Sequence, residues 1–139
     1  MKGSILIVED NLDQLNLLKL YFIQAGYQVT GVHHPRQALE AASFQQFQVA
    51  LLDLSLPEMD GIELMQRLQR SQDEMQFIIL SGYQYPYSQA NADGAFACLV
   101  KPYNLKVLEA TVEKALDSCL CRSPSRAEPT LPDSVAALS

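Results

Sequence analysis

Four stretches of the chain set an uninterrupted aliphatic run directly before a polar group. They are Ile5-Leu6-Ile7-Val8 before Glu9-Asp10, Val49-Ala50-Leu51-Leu52 before Asp53, Phe77-Ile78-Ile79-Leu80 before Ser81-Gly82, and Leu99-Val100 before Lys101-Pro102. Continuous rather than alternating hydrophobicity predicts parallel strands with both faces covered, hence helices on each side of a sheet. A fifth, weaker strand spans Gln28 to Val32. Between the strands, Leu15, Leu18, Phe22 and Ala25 repeat at helical spacing, with Asn11 as the starting cap and Gly26 as a left-handed stop. Pro35 opens a short helix through Ala42, and Gly61 to Ser71 form another. Asn104 caps a last helix whose core face is Leu105, Leu108, Val112, Leu116 and Cys119. The order is βαβαβαβ followed by a final βα. In the last connection, Gly82 to Tyr87 is turn-like and contains Pro86, leaving only Ser88 to Asp93, so the helix there is expected to be short or missing.

This pattern fills one domain, residues 1–121, of a chain of 139 residues. From Arg122 onward Pro124, Pro129 and Pro132 interrupt a stretch with little apolar content, and residues 122–139 read as a disordered tail or a linker. Sixteen acidic against ten basic residues give a net charge of -6, the wrong sign for sequence-independent nucleic-acid or anionic-membrane binding. No apolar run approaches the roughly 18 residues of a membrane span, and no secretory signal opens the chain. A cytoplasmic protein is expected. Cys98, Cys119 and Cys121 form neither a Cys-x-x-Cys pair nor a zinc site, so no disulfide framework is expected.

Ligands of an open parallel sheet bind beyond the carboxyl ends of its strands. Those ends carry Glu9, Asp10, Asp53, Ser81 and Lys101. Three carboxylates gathered there repel one another, and a hard divalent cation such as Mg²⁺ relieves the repulsion through oxygen ligands. Lys101 adds a compact positive charge beside Asp53, and Ser81 a hydroxyl able to donate to an anion. Asp53 is the best nucleophile: its attack on phosphorus gives an aspartyl phosphate, with the cation and Lys101 stabilising charge on the phosphoryl oxygens. Glu9 and Asp10 are then metal holders.

The dispersed set Glu9-Asp10-Asn11, Asp53-Leu54-Ser55-Leu56-Pro57-Glu58-Met59-Asp60-Gly61, Ser81-Gly82 and Lys101-Pro102 resembles the receiver domain of two-component response regulators over roughly residues 3 to 121. The resemblance implies an α/β fold, a doubly wound five-stranded parallel sheet of flavodoxin-like order 2-1-3-4-5. It implies that Asp53 is the phosphoacceptor and that Glu9, Asp10, Asp53 and the Ser55 backbone carbonyl hold Mg²⁺. Ser81 becomes the switch hydroxyl, Lys101 contacts the phosphoryl group, and the Lys101-Pro102 bond is cis. The implied partners are a histidine kinase or a histidine phosphotransfer protein and a downstream protein target, and the implied role is a signalling switch rather than a turnover enzyme.

The chain departs from the family at Cys98, three residues before Lys101, where receivers carry a rotating Tyr or Phe. Phe96, two positions earlier, is expected on the same face of the strand. A dehalogenase-type phosphatase would need an acid two residues after Asp53, where Ser55 stands. A flavin or dinucleotide module would need a phosphate loop where Glu9 to Asp13 is acidic. The remaining alternative is a receiver-like interaction module that works without phosphorylation. His33 and His34 are read as an exposed loop, and Tyr83, Tyr85 and Tyr87 either as a partner surface or as packing over the connection.

Overall fold

The computed structural model describes residues 2–54, 61–72, 74–82 and 94–127, with side chains described through Ser118. Five strands form one parallel sheet: β1 (Ser4–Val8), β2 (Gln28–Val32), β3 (Val49–Asp53), β4 (Gln76–Ser81) and β5 (Ala97–Val100). Their order is β2-β1-β3-β4-β5, the order expected. The helices among the described residues are α1 (Leu12–Gln24), α2 (Pro35–Phe44), α3 (Gly61–Ser71) and α4 (Leu105–Ala127).

The aliphatic runs are buried on both faces because side chains alternate along each strand. Leu6 and Val8, with Ala50, Leu52, Phe77 and Ile79, face Ala38 and Ala42 of α2 and Leu64, Met65 and Leu68 of α3. Ile5 and Ile7, with Val49, Leu51, Ile78 and Leu80, face Leu15, Leu18 and Phe22 of α1 and Leu108, Val112 and Leu116 of α4. The result is a three-layer α/β/α sandwich whose strand ends all point to one edge.

Local signals act as the sequence indicates. The Asn11 side chain accepts from the Gln14 N–H at 3.0 Å, and Gly26, at φ 102°, turns the chain after α1. Asn104 accepts from the Lys106 N–H at 2.7 Å at the start of α4. His34, expected simply in a loop, caps α2: its Nδ1 accepts from the Arg36 N–H at 3.1 Å. The helical backbone of α4 continues past Cys121, through Pro124, to Ala127.

One expectation is corrected. Cys98 packs toward α2 and α3, whereas Phe96 packs with Leu99 toward α1 and α4. The two do not share a face, because β5 begins only at Ala97. Phe96 sits in the preceding bend with its N–H donating to the Phe77 carbonyl at 2.7 Å, so the period-two alternation does not extend back to it. The expected short helix at Ser88 to Asp93 and the tyrosines at 83, 85 and 87 lie outside the described residues.

Candidate functional site

Parallel register brings the polar strand ends together. Val8 pairs with Leu52, so Glu9 follows β1 beside Asp53, the last residue of β3. Ser81 ends β4 opposite Val100, and Lys101 comes next. The Lys101 N–H donates to the Ser81 carbonyl at 2.6 Å, and the Leu54 N–H donates to the Leu80 carbonyl at 3.0 Å, fixing the β3, β4 and β5 ends to one another.

Glu9, Asp53 and Ser81 are buried, Asp10 is exposed and Lys101 lies between. The ammonium of Lys101 is 2.9 Å from Asp53 Oδ2 and 3.4 Å from Glu9 Oε1. Carboxylate oxygens of Glu9, Asp10 and Asp53 all lie within 4.8 Å of one another, the metal-capable acidic cluster among the described residues. Five of the six sequence-derived positions thus meet at one edge. The sixth, Ser55, lies outside the described residues.

The electrostatics are those of an over-negative cluster. Burial first, then the hydrogen bond with and charge of Asp53, push the Glu9 carboxyl up to about 7, against the pull of Lys101 and of the Asn11 N–H. Burial pulls the Lys101 ammonium down, but the hydrogen bond and charge of Asp53, and then Glu9, outweigh it and hold it above the ordinary lysine value. One ammonium does not neutralise three acids. An all-oxygen donor set with two buried carboxylates and one exposed one fits a hard dication, which leaves its outer positions to water or a phosphate oxygen.

Three supporting residues carry no chemistry of their own: pattern marks Asn11 as a helix cap and Gly61 as a helix start, and does not mark Tyr103. Gly61 opens α3 against the nucleophile's backbone: a Cβ there would lie 2.6 Å from the Asp53 carbonyl oxygen and 3.0 Å from Leu54 Cα. The Asn11 N–H donates to Glu9 Oε2 at 3.2 Å, orienting that carboxylate. Tyr103, two residues past Lys101, accepts from Gln14 Nε2 at 2.8 Å. Beside these groups lies a cavity of about 580 Å³ between the start of α1 and the segment joining β5 to α4, walled by Glu9, Asn11, Gln14, Lys101 and Tyr103, with Leu17 and Leu105 on its apolar side. A glycine opening a helix after an acidic motif is the signal that marks Gly61 in the sequence. No comparable signal marks the Gln14–Tyr103 contact.

Comparison with known proteins agrees with this geometry. The chain is 33% identical over 116 residues to the response regulator receiver protein CpdR of Brucella abortus, covering 81% of this chain and 95% of that protein. It is 32% identical over 115 residues, 81% of this chain, to the transcriptional regulatory protein ZraR of Escherichia coli, of whose length the match spans 26%, about a quarter. Among solved structures, a CheY-like response regulator receiver domain protein from Methanospirillum hungatei superimposes with a TM-score of 0.80 at 28% identity, covering 85% of this chain and 96% of that one. Receivers are signalling proteins, generally not turnover enzymes, and they bind Mg²⁺ at an acidic site. The family model for the response regulator receiver domain matches residues 5–113, and the chain belongs to that family.

Proposed function

We propose that Asp53 accepts a phosphoryl group, with Mg²⁺, from a histidine kinase or a histidine phosphotransfer protein, and that the resulting aspartyl phosphate changes a protein-interaction surface. The observation that carries this reading is the Asp53 carboxylate at the end of β3, 2.9 Å from the Lys101 ammonium and within 4.8 Å of the Glu9 and Asp10 carboxylate oxygens. An Asp53 oxygen attacks phosphorus in line, and the bond from phosphorus to the donor's nitrogen or oxygen breaks with its electron pair leaving on the donor. A carboxylate nucleophile has no proton to give up on attack, so no base is required.

Glu9, Asp10, Asp53 and the Ser55 carbonyl would hold Mg²⁺, which supplies positive charge to the phosphoryl oxygens. Lys101 supplies a second positive charge, and the Ser81 hydroxyl, at the neighbouring strand end, is the group that answers the new anion. Residues 1–121 act as the receiver unit and residues 122–139 as a tail or linker, in a cytoplasmic protein. Among the described residues no helix is long and apolar enough to cross a membrane.

Cys98 favours a second reading, an interaction module that works without phosphorylation. Where receivers couple the switch hydroxyl to an aromatic ring, this chain offers a small half-buried thiol. Intact-mass measurement after incubation with acetyl phosphate and Mg²⁺ separates the two. A gain of one phosphate in the wild type and none in Asp53→Asn is expected. No gain in the wild type, or a gain that persists in Asp53→Asn, overturns the assignment.

A further inference from the structure

The contacts around the site close on themselves. The Asn11 N–H donates to Glu9 Oε2 at 3.2 Å, the Gln14 N–H donates to Asn11 Oδ1 at 3.0 Å, and Gln14 Nε2 donates to the Tyr103 hydroxyl at 2.8 Å. Tyr103 follows Lys101 by two residues, and Lys101 returns to Glu9 at 3.4 Å and to Asp53 at 2.9 Å. Two kinds of link therefore join the start of α1 to the segment carrying Lys101. One is ionic and runs through Glu9. The other is the neutral Gln14–Tyr103 hydrogen bond, half-buried at the edge of the cavity beside the site.

These links respond differently to a cation. A dication drawn to Glu9, Asp10 and Asp53 competes with the Lys101 ammonium for the same carboxylates and weakens the ionic link. A hydrogen bond between an amide and a phenol carries no charge for the dication to compete with, so it persists. From this arrangement we infer that Gln14 and Tyr103 are a positioning pair for Lys101, a clasp that keeps its ammonium within reach of the incoming phosphoryl group once Mg²⁺ occupies the carboxylates. The inference rests on Asp53 being the phosphoacceptor. The pair touches neither metal nor phosphoryl group and acts through the segment that carries Lys101.

The test compares Tyr103→Phe, which keeps the ring, Gln14→Leu, which keeps the helix, and the double variant, all with saturating Mg²⁺ and acetyl phosphate. Losing one neutral hydrogen bond corresponds to about a fivefold slower phosphorylation in each single variant. The double variant is no slower than either single one, and Mg²⁺ affinity stays within about twofold because no ligand is removed. The second readout is ¹³C relaxation of the Lys101 Cε methylene, assigned through Lys101→Met, which reports greater mobility in all three variants with Mg²⁺ bound. Wild-type rates, additive slowing or unchanged Lys101 mobility overturns the inference. If the wild type takes up no phosphate, the phosphoacceptor reading fails, and the Lys101 mobility still decides the clasp.

Discussion

Removing the Lys101 charge while keeping its stem, as in Lys101→Met, separates the structural role of the ammonium from its role toward phosphate. The ammonium lies 2.9 Å from Asp53 and 3.4 Å from Glu9, whose side chains are 4% and 1% exposed. At an effective dielectric constant of about 20, each pair is worth roughly 5 kcal/mol before costs. Burying the ammonium costs several kcal/mol of that, and with its side chain 30% exposed, solvent screens the remainder. Proton uptake by Glu9 relieves part of the loss. The expected net destabilisation without Mg²⁺ is about 3 kcal/mol, a fall of about 10 °C in melting temperature for a chain of this size.

Mg²⁺ narrows the difference. With its competitor gone, the dication should bind about tenfold tighter, adding about 1.4 kcal/mol of stabilisation at saturation relative to wild type. Thermal melts followed by circular dichroism, with and without Mg²⁺, read both effects, since the chain has no tryptophan to follow by fluorescence. The exposed Lys106→Met is the control for loss of one surface cation. A metal-free melting temperature equal to wild type, or a Mg²⁺-induced shift no larger than the wild-type one, refutes the view that Lys101 is the resident counterion of the acidic cluster.

Gly61→Ala should cost about 1–3 kcal/mol despite the better helix propensity of alanine, because the new Cβ meets backbone rather than a movable side chain; a raised melting temperature contradicts this. Tyr27→Phe should stabilise the protein by about 1 kcal/mol near neutral pH, since the buried Tyr27 hydroxyl has no hydrogen-bond partner while its ring packs edge-on against Phe22 at 5.6 Å; a loss of stability by denaturant titration contradicts it. Burial and then Glu113, Glu109 and Asp117 push the Tyr27 phenol up to about 12. The unfolded chain, titrating near 10, therefore ionises first, and this stability is present below pH 10 and lost as pH rises toward 12. In Tyr27→Phe that part of the alkaline decline should vanish. Gln72→Leu should cost about 3 kcal/mol, because the Gln72 amide accepts from the Phe47 N–H and donates to the Ala42 and Gln45 carbonyls, each at 2.8 Å; a change under about 1 kcal/mol would mean that water replaces the amide.

The elements most legible in the sequence were those whose signals were local and redundant. Strand β2 and helix α3 have the bounds read from pattern, β1 differs by one flanking polar residue and β4 by one at each end. Buried parallel strands announce themselves because both faces are apolar, so a one-residue error in register does not blur the run. The misplacement of Phe96 has the converse cause. Strand β5 is short, and extrapolating its alternation by one residue crosses from strand into bend, where side-chain direction no longer follows period two. Imidazole is an uncommon cap, so nothing in the pattern marks His34 as one, yet next to Pro35 its Nδ1 fills the role that Asn or Ser usually takes.

The acids, the hydroxyl and the lysine were legible for a physical reason: chemistry needs particular side chains, and a parallel sheet places them after the strands, where a linear scan finds them. Their supports follow another rule. Asn11, Gln14, Gly61 and Tyr103 act through a backbone amide, a side-chain amide, a missing Cβ and a hydroxyl, and each is also an ordinary choice for a cap, a helix turn, a helix start or a core edge. Nothing in their spacing ties Gln14 to a residue 89 positions away. Only the three-layer packing brings the start of α1 against the segment after β5, and with it a neutral contact between them beside the ionic ones. The reactive groups are therefore set by strand ends and readable in order, whereas the wiring that keeps the half-buried ammonium aimed at Asp53 is set by how the start of α1 meets the segment after β5.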